Sequence, residues 1–108
     1  MKKYIRATTV TKKSISELRD WAEQFKHHII DLDNHKVVIV MDRGTTESQI
    51  KAECTMYNYL IHNGFNVSLE KGNFDYTDII PYRTFGGGYG EDRVQKTLKG
   101  RLILTVTW

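Results

Sequence analysis

The chain has 108 residues, of which 40% are hydrophobic and 27% charged, with a single proline. This composition is globular and excludes a disordered or collagen-like chain. Apolar runs stay far below the ~20 residues of a membrane-spanning helix, so we expect a water-soluble, cytoplasmic protein with no membrane partner. Cys54 is the single cysteine, which excludes an internal disulfide. We predict one globular domain over residues 1–108.

The formal net charge of +3 is only mildly basic, and its distribution is more informative than its size. If the first and last strands lie side by side, basic residues from both ends of the chain merge into one edge that can attract phosphate. Solvated lysines that protect a sheet edge explain the same pattern. The residues of this predicted nucleic-acid surface are Lys2, Lys3, Arg6, Arg93, Lys96, Lys99 and Arg101.

The amino-terminal third predicts a strand and a helix. Tyr4 to Val10 is rich in β-branched residues, which favours a strand. Ser14 can cap the following helix with Glu17 in the reciprocal position. An apolar stripe at helical spacing then predicts a helix long enough to hold Lys26, His27 and His28 in its last turn. The stripe consists of Ile15, Leu18, Ala22, Phe25 and Ile29.

The middle of the chain gives the firmest pattern. Val37 to Met41 are five consecutive apolar residues, which predicts a central strand covered on both sides. Thr46 and Gln49 form a capping box for a second helix. Gly64 fits the left-handed position after the last turn, and Phe65 can pack back on the helix in a Schellman ending.

The carboxyl-terminal third begins with an alternating strand, in which Phe65, Val67 and Leu69 face one way. The alternation of apolar and polar residues then becomes weaker. We predict an edge strand over Tyr76 to Phe85, because an edge strand tolerates Pro81. Glu91 to Leu98 is either a short helix or the first arm of a hairpin that turns at Lys99-Gly100. We favour the helix, because a strand would place Lys96 on the same face as Val94 and Leu98. The last seven residues, 102–108, alternate as a final strand.

These elements predict an α+β fold: a two-layer sandwich in which two main helices pack on one face of a mixed sheet of four or five strands. Asp42 is the best-placed candidate for a catalytic or ligand-binding residue, because it follows the central strand and precedes a helix. A strand-to-helix loop with turn and capping residues is nevertheless the favoured explanation of Asp42. The glycine run 86–88 lacks the Lys-Ser or Lys-Thr of a phosphate loop, which favours a flexible connection.

The four histidines and one cysteine do not form the paired spacing of a structural zinc site, so we expect no metal and no cofactor. The chain also lacks a recognisable catalytic constellation, which favours a small binding protein over an enzyme. One class that fits is the inhibitors carried by phages and plasmids, such as anti-CRISPR proteins, which block a larger host protein or nuclease. A basic nucleic-acid-binding module and a small enzyme centred on Asp42 are the alternatives.

The residue types that dominate binding energy concentrate in one stretch that has no strong periodicity. Aromatic side chains and an arginine occur there beside glycines that let the backbone adapt to a partner. A larger host protein or a nucleoprotein complex is the expected partner, and the sequence leaves the oligomeric state open. The predicted partner-binding residues are Tyr76, Tyr82, Arg83, Phe85 and Tyr89.

Overall fold

The computed structural model describes residues 10–108. The predicted strand from Tyr4 falls outside this range except for Val10, and Lys2, Lys3 and Arg6 also lie outside it. The helices are α1 (Lys12–Ala22), α2 (Glu47–Glu53) and α3 (Thr55–His62). The strands are β1 (His28–Asp31), β2 (Lys36–Val40), β3 (Asn66–Arg83) and β4 (Tyr89–Thr107).

The described strands form one sheet in the order β1-β2-β4-β3, and all three neighbouring pairs are antiparallel. The α+β class and the two-layer arrangement are therefore confirmed. The sheet is antiparallel where we predicted a mixed one. β4 lies between β2 and β3 and pairs antiparallel with both.

The helices pack on one face of the sheet, as predicted, but they are three where we expected two. Leu18 of α1 and Leu60 of α3 have no exposed surface, and they share a core with the inward positions of β2 and β4. β2 is central, and its last four residues are buried. The final strand alternates between buried and half-buried positions over Leu102–Thr107, which confirms its predicted register.

The first helix differs from the prediction at both ends. Thr11, rather than Ser14, is the N-cap, because Ser14 occupies the third helical position and completes the capping box with Thr11. The helix ends at Ala22, so His28 and Ile29 belong to β1 instead of to the helix. Helical spacing from Phe25 to Ile29 was misleading: the side chain of Ile29 is 48% exposed, because it lies on the sheet face opposite the helices.

The middle region follows the prediction closely. The capping box of Thr46 and Gln49 is present, and Gly64 has a positive φ of 89°. The Phe65 N–H donates to the Leu60 carbonyl at 3.1 Å, which confirms the Schellman ending. The second helix is nevertheless interrupted at Cys54, which has extended backbone angles and separates α2 from α3.

The largest difference lies between residues 91 and 98, which form part of β4 and not a helix. Val94, Lys96 and Leu98 do share one strand face. This face is outside the core, so the charge of Lys96 does not have to be buried. Lys99-Gly100 is not a hairpin turn either. The ladder changes register here: Asn73 faces both residues, Gly100 has a φ of 64°, and its N–H donates to the Asn73 side chain at 3.2 Å. This geometry is a β-bulge.

Candidate functional site

Beyond the bulge, β3 and β4 leave the helix-covered part of the sheet and continue as a two-stranded ribbon. We call residues 74–98 the arm and the rest of the described chain the body. The arm pairs Phe74 with Leu98 at its root and Arg83 with Tyr89 near its tip, and neither strand pairs with another described strand over this length. At about 3.3 Å per residue, ten pairs project roughly 33 Å. The radius of gyration is accordingly 18.2 Å, against about 13 Å for a compact domain of this size.

The arm turns over residues 84–88. Thr84 and Gly88 close the turn, because the Thr84 N–H donates to the Gly88 carbonyl at 2.8 Å. Gly86 and Gly87 have φ angles of 91° and 85°, which side chains rarely adopt. The glycine run is therefore explained by the backbone of a tight hairpin turn, which agrees with the prediction that it is not a phosphate loop.

Tyr82 lies on one face of the arm, directly opposite Gly90. A Cβ placed on Gly90 would come within 2.5 Å of the Tyr82 ring, so the ring lies flat across the glycine backbone. This packing covers the strand but leaves 45% of the Tyr82 side chain exposed. The Tyr82 ring is therefore held in place without being buried in the hydrophobic core.

Arg83 and Tyr89 form a pair on the opposite face of the arm. The guanidinium carbon lies 5.8 Å from the centre of the Tyr89 ring, and Arg83 Nη2 is 3.5 Å from Tyr89 Oη. A cation over an aromatic ring at this distance is a favourable contact. Tyr89 remains 77% exposed, so the pair is preorganised but still available to a partner.

Phe85 stands at the apex of the turn and is fully exposed. Other apolar side chains of the arm are also open to solvent: Ile79 is 50% and Ile80 44% exposed. Large apolar side chains exposed together are typical of an interaction site. The sequence prediction overlooked both isoleucines, although two β-rich stretches that flank a glycine run are a hairpin signal.

Tyr76 is separated from the other four predicted contact residues. It lies near the root of the arm, where its ring centre is 4.4 Å from that of His27, with Phe74 at 6.2 Å from the same imidazole. The structure thus brings together Tyr82, Arg83, Phe85 and Tyr89 at the tip and places Tyr76 in a contact between arm and body. His27, which we predicted in a helix terminus, is the body's half of that contact.

The pKa of His27 is lowered from its ordinary value of 6.5. Partial burial is the largest cause, followed by the positive charges of Lys26 and Arg101 and a small contribution from His28, while Asp78 acts in the opposite direction. The folded state therefore favours the neutral form of this imidazole.

Lys96 is exposed to solvent but paired, because its ammonium lies 2.8 Å from the carboxylate of Asp78 on the neighbouring strand. The hydrogen bond from Lys96 and the attraction of its charge lower the pKa of Asp78, and Asp78 raises the pKa of Lys96 in return. Among the other predicted members of the nucleic-acid surface within residues 10–108, Arg93 pairs with Ile79 about halfway along the arm, and Lys99 lies in the bulge. Arg101 lies below the bulge, where its guanidinium donates to the Met41 carbonyl at 3.4 Å.

Asp42 lies on the exposed loop between β2 and α2, and its carbonyl accepts from the Thr45 N–H in a turn. The nearby cavity of about 350 Å³ is lined by the same loop together with Leu69, Lys71 and Leu102, and Asp42 is not part of its wall. Within residues 10–108, no three His, Cys, Asp or Glu side chains assemble as metal ligands.

No protein-family model, curated protein or solved structure matches this chain. None of the three described helices is long and apolar enough to span a membrane.

Proposed function

We propose that this protein is a non-catalytic binding protein that uses the tip of its arm as the contact surface for a larger host protein. One observation carries the proposal: Tyr82, Arg83, Phe85 and Tyr89 lie together at the end of a projecting hairpin and take no part in the hydrophobic core. Aromatic residues and arginine dominate the binding energy of protein interfaces, and these four are available without unfolding the body.

The tip also keeps the cost of binding low. The Tyr82 ring rests on Gly90, and Arg83 is already paired with Tyr89, so these side chains lose little rotamer freedom when a partner covers them. Phe85 has no such support, and the three glycines after it let the turn adjust around a pocket. We therefore assign Phe85 the role of the inserted anchor and the other three the role of its flanks.

The shape of the arm favours a concave partner. A two-stranded ribbon with an aromatic apex presents little area to a flat surface but contacts a cleft on both of its faces. Blocking the working cleft of a larger enzyme is how a small inhibitor acts without chemistry of its own. We therefore propose an inhibitor of a host nuclease or nucleoprotein complex, anti-CRISPR-like and borne by a phage or plasmid, acting in the cytoplasm.

Charge separates this proposal from the nucleic-acid alternative. The arm and its bulge carry balanced charge: four basic residues, Arg83, Arg93, Lys96 and Lys99, against four acidic ones, Asp75, Asp78, Glu91 and Asp92. A phosphate-binding surface needs a net positive field, and one of its lysines is already neutralised by Asp78. These observations favour a protein surface as the primary contact.

The experiment is capture of a host partner by the tagged protein, from lysate with and without nuclease treatment. We expect Phe85→Ala to lose the partner and Asp42→Asn, the matched control, to keep it. Capture should survive nuclease treatment and depend weakly on salt. If capture instead survives Phe85→Ala and disappears when Arg93, Lys96, Lys99 and Arg101 are changed to glutamine, the nucleic-acid alternative replaces this proposal. A catalytic activity that Asp42→Asn abolishes would favour the enzyme.

A further inference from the structure

The arm has two long edges, and their backbone groups differ. In an antiparallel pair, alternate residues direct their N–H and C=O groups toward the partner strand. Because the Thr84 N–H donates to Gly88, the even-numbered residues of β3 in the arm face β4, and the odd-numbered ones face outward. Pro81 is therefore at an outward position, where it removes a donor from the β3 edge. Proline is one of the residues that protect an edge strand from further pairing.

The β4 edge of the arm has no such protection. Its outward backbone groups belong to Glu91, Arg93, Gln95 and Thr97, none of which is proline. β2 pairs with β4 only as far as Ile103, so no described strand covers β4 between residues 89 and 98. A hairpin of two strands alone is only marginally stable in water, and a third or fourth strand stabilises it.

The side chains of this edge complement a second copy of themselves. If two β4 strands pair antiparallel about a two-fold axis at Val94, Asp92 of each copy lies opposite Lys96 of the other, on the face that also carries Asp78. Lys96 then lies between two carboxylates, and Val94 meets Val94. An axis one residue away would set Arg93 against Arg93 or Gln95 against Gln95, and an axis at Asp92 would oppose two carboxylates. Opposite charges at directly facing positions stabilise a sheet, and like charges destabilise it.

We propose that the β4 edge of the arm binds a second copy of this chain, to give a four-stranded antiparallel ribbon with its two-fold axis at Val94. The pairing uses the edge around Glu91–Thr97, whereas the partner contact proposed above uses the side chains of the tip. The inference therefore does not rest on the proposed function. The occupant is a second copy because the same short stretch supplies both halves of each charge pair.

Cysteine cross-linking of the full chain tests the geometry directly. Val94 would lie in a pair without mutual hydrogen bonds, where Cα atoms are about 4.5 Å apart, within the range that a disulfide bridges. In a Cys54→Ala background, we expect Val94→Cys to form a covalent dimer under mild oxidation. Ile79→Cys lies on β3 at a more exposed position, 50% against 36% for Val94, and should remain a monomer. Equal cross-linking of both variants, or of neither, would overturn the proposal.

Sedimentation of the chain without cysteine changes supplies an independent test. We expect concentration-dependent dimerisation, which Val94→Asp and Val94→Lys should each weaken by roughly fivefold or more, because like charges then meet on the axis. An equimolar mixture of the two variants should restore the dimer. A wild-type chain that stays monomeric at all concentrations, or a dimer that neither charge weakens, would contradict the inference, and circular dichroism would verify that both variants are folded.

Discussion

The body and the arm share the same two strands, and they differ in what covers them. β4 runs through both regions: in the body, Leu102, Leu104 and Val106 are buried under three helices, whereas in the arm the same strand is exposed at nearly every position. Backbone pairing is as regular in one region as in the other. The comparison shows that backbone pairing continues where burial is absent, while burial decides which part of the chain forms the stable core.

The largest difference between the regions should appear in the free energy of unfolding when an apolar side chain is truncated to alanine. Leu104 is fully buried in the body, so Leu104→Ala should lower the free energy of unfolding by about 2–5 kcal/mol through lost burial and a residual cavity. Ile79→Ala in the arm removes a half-exposed side chain and should cost well under 1 kcal/mol. Urea unfolding followed by circular dichroism measures both. Similar losses for the two variants would mean that the arm belongs to the core.

The difference in burial also explains how far the sequence predicts the structure. The helix caps, the central strand, Gly64 and the final strand were predictable, because each combines a local signal with a buried face. The arm has no buried face, so periodicity was absent over Glu91 to Leu98, and the presence of Lys96 wrongly suggested a helix. Four of the five predicted contact residues do meet at the tip. The partner of Tyr76 was not predictable, because its contact with His27 joins segments that are far apart in the chain.

A smaller effect should distinguish two glycines with the same backbone conformation. Gly64 in the body and Gly87 in the turn have φ angles of 89° and 85°. Gly64→Ala should destabilise the protein by on the order of 1 kcal/mol, because alanine strains the helix ending. Gly87→Ala carries the same local strain, but it should leave the unfolding midpoint of the body unchanged, because the turn adds little to the core. A shift for Gly87→Ala as large as that for Gly64→Ala would contradict the distinction between the regions.

The smallest effect is a pH dependence of the melting temperature, which arises at the contact between arm and body. Because the pKa of His27 is lowered in the folded protein, the folded state favours the neutral imidazole. This contribution to stability is present above the unfolded pKa of about 6.5 and is lost as the pH falls through the lowered pKa. The melting temperature should therefore fall on acidification, and less so in His27→Gln than in the wild type. His62→Gln, at an exposed position outside this contact, is the control. An identical response in His27→Gln would exclude this contact as the cause.

The most direct test of the central claim, that the body maintains the fold while the arm binds, is to measure melting and partner capture together for Tyr82→Ala and Tyr89→Ala. Both rings lie at the tip, outside the buried core. We predict that each variant melts at the wild-type temperature and that both lose capture of the host partner. Lowered melting with intact capture would contradict the account and make the tip an ordinary structural cluster.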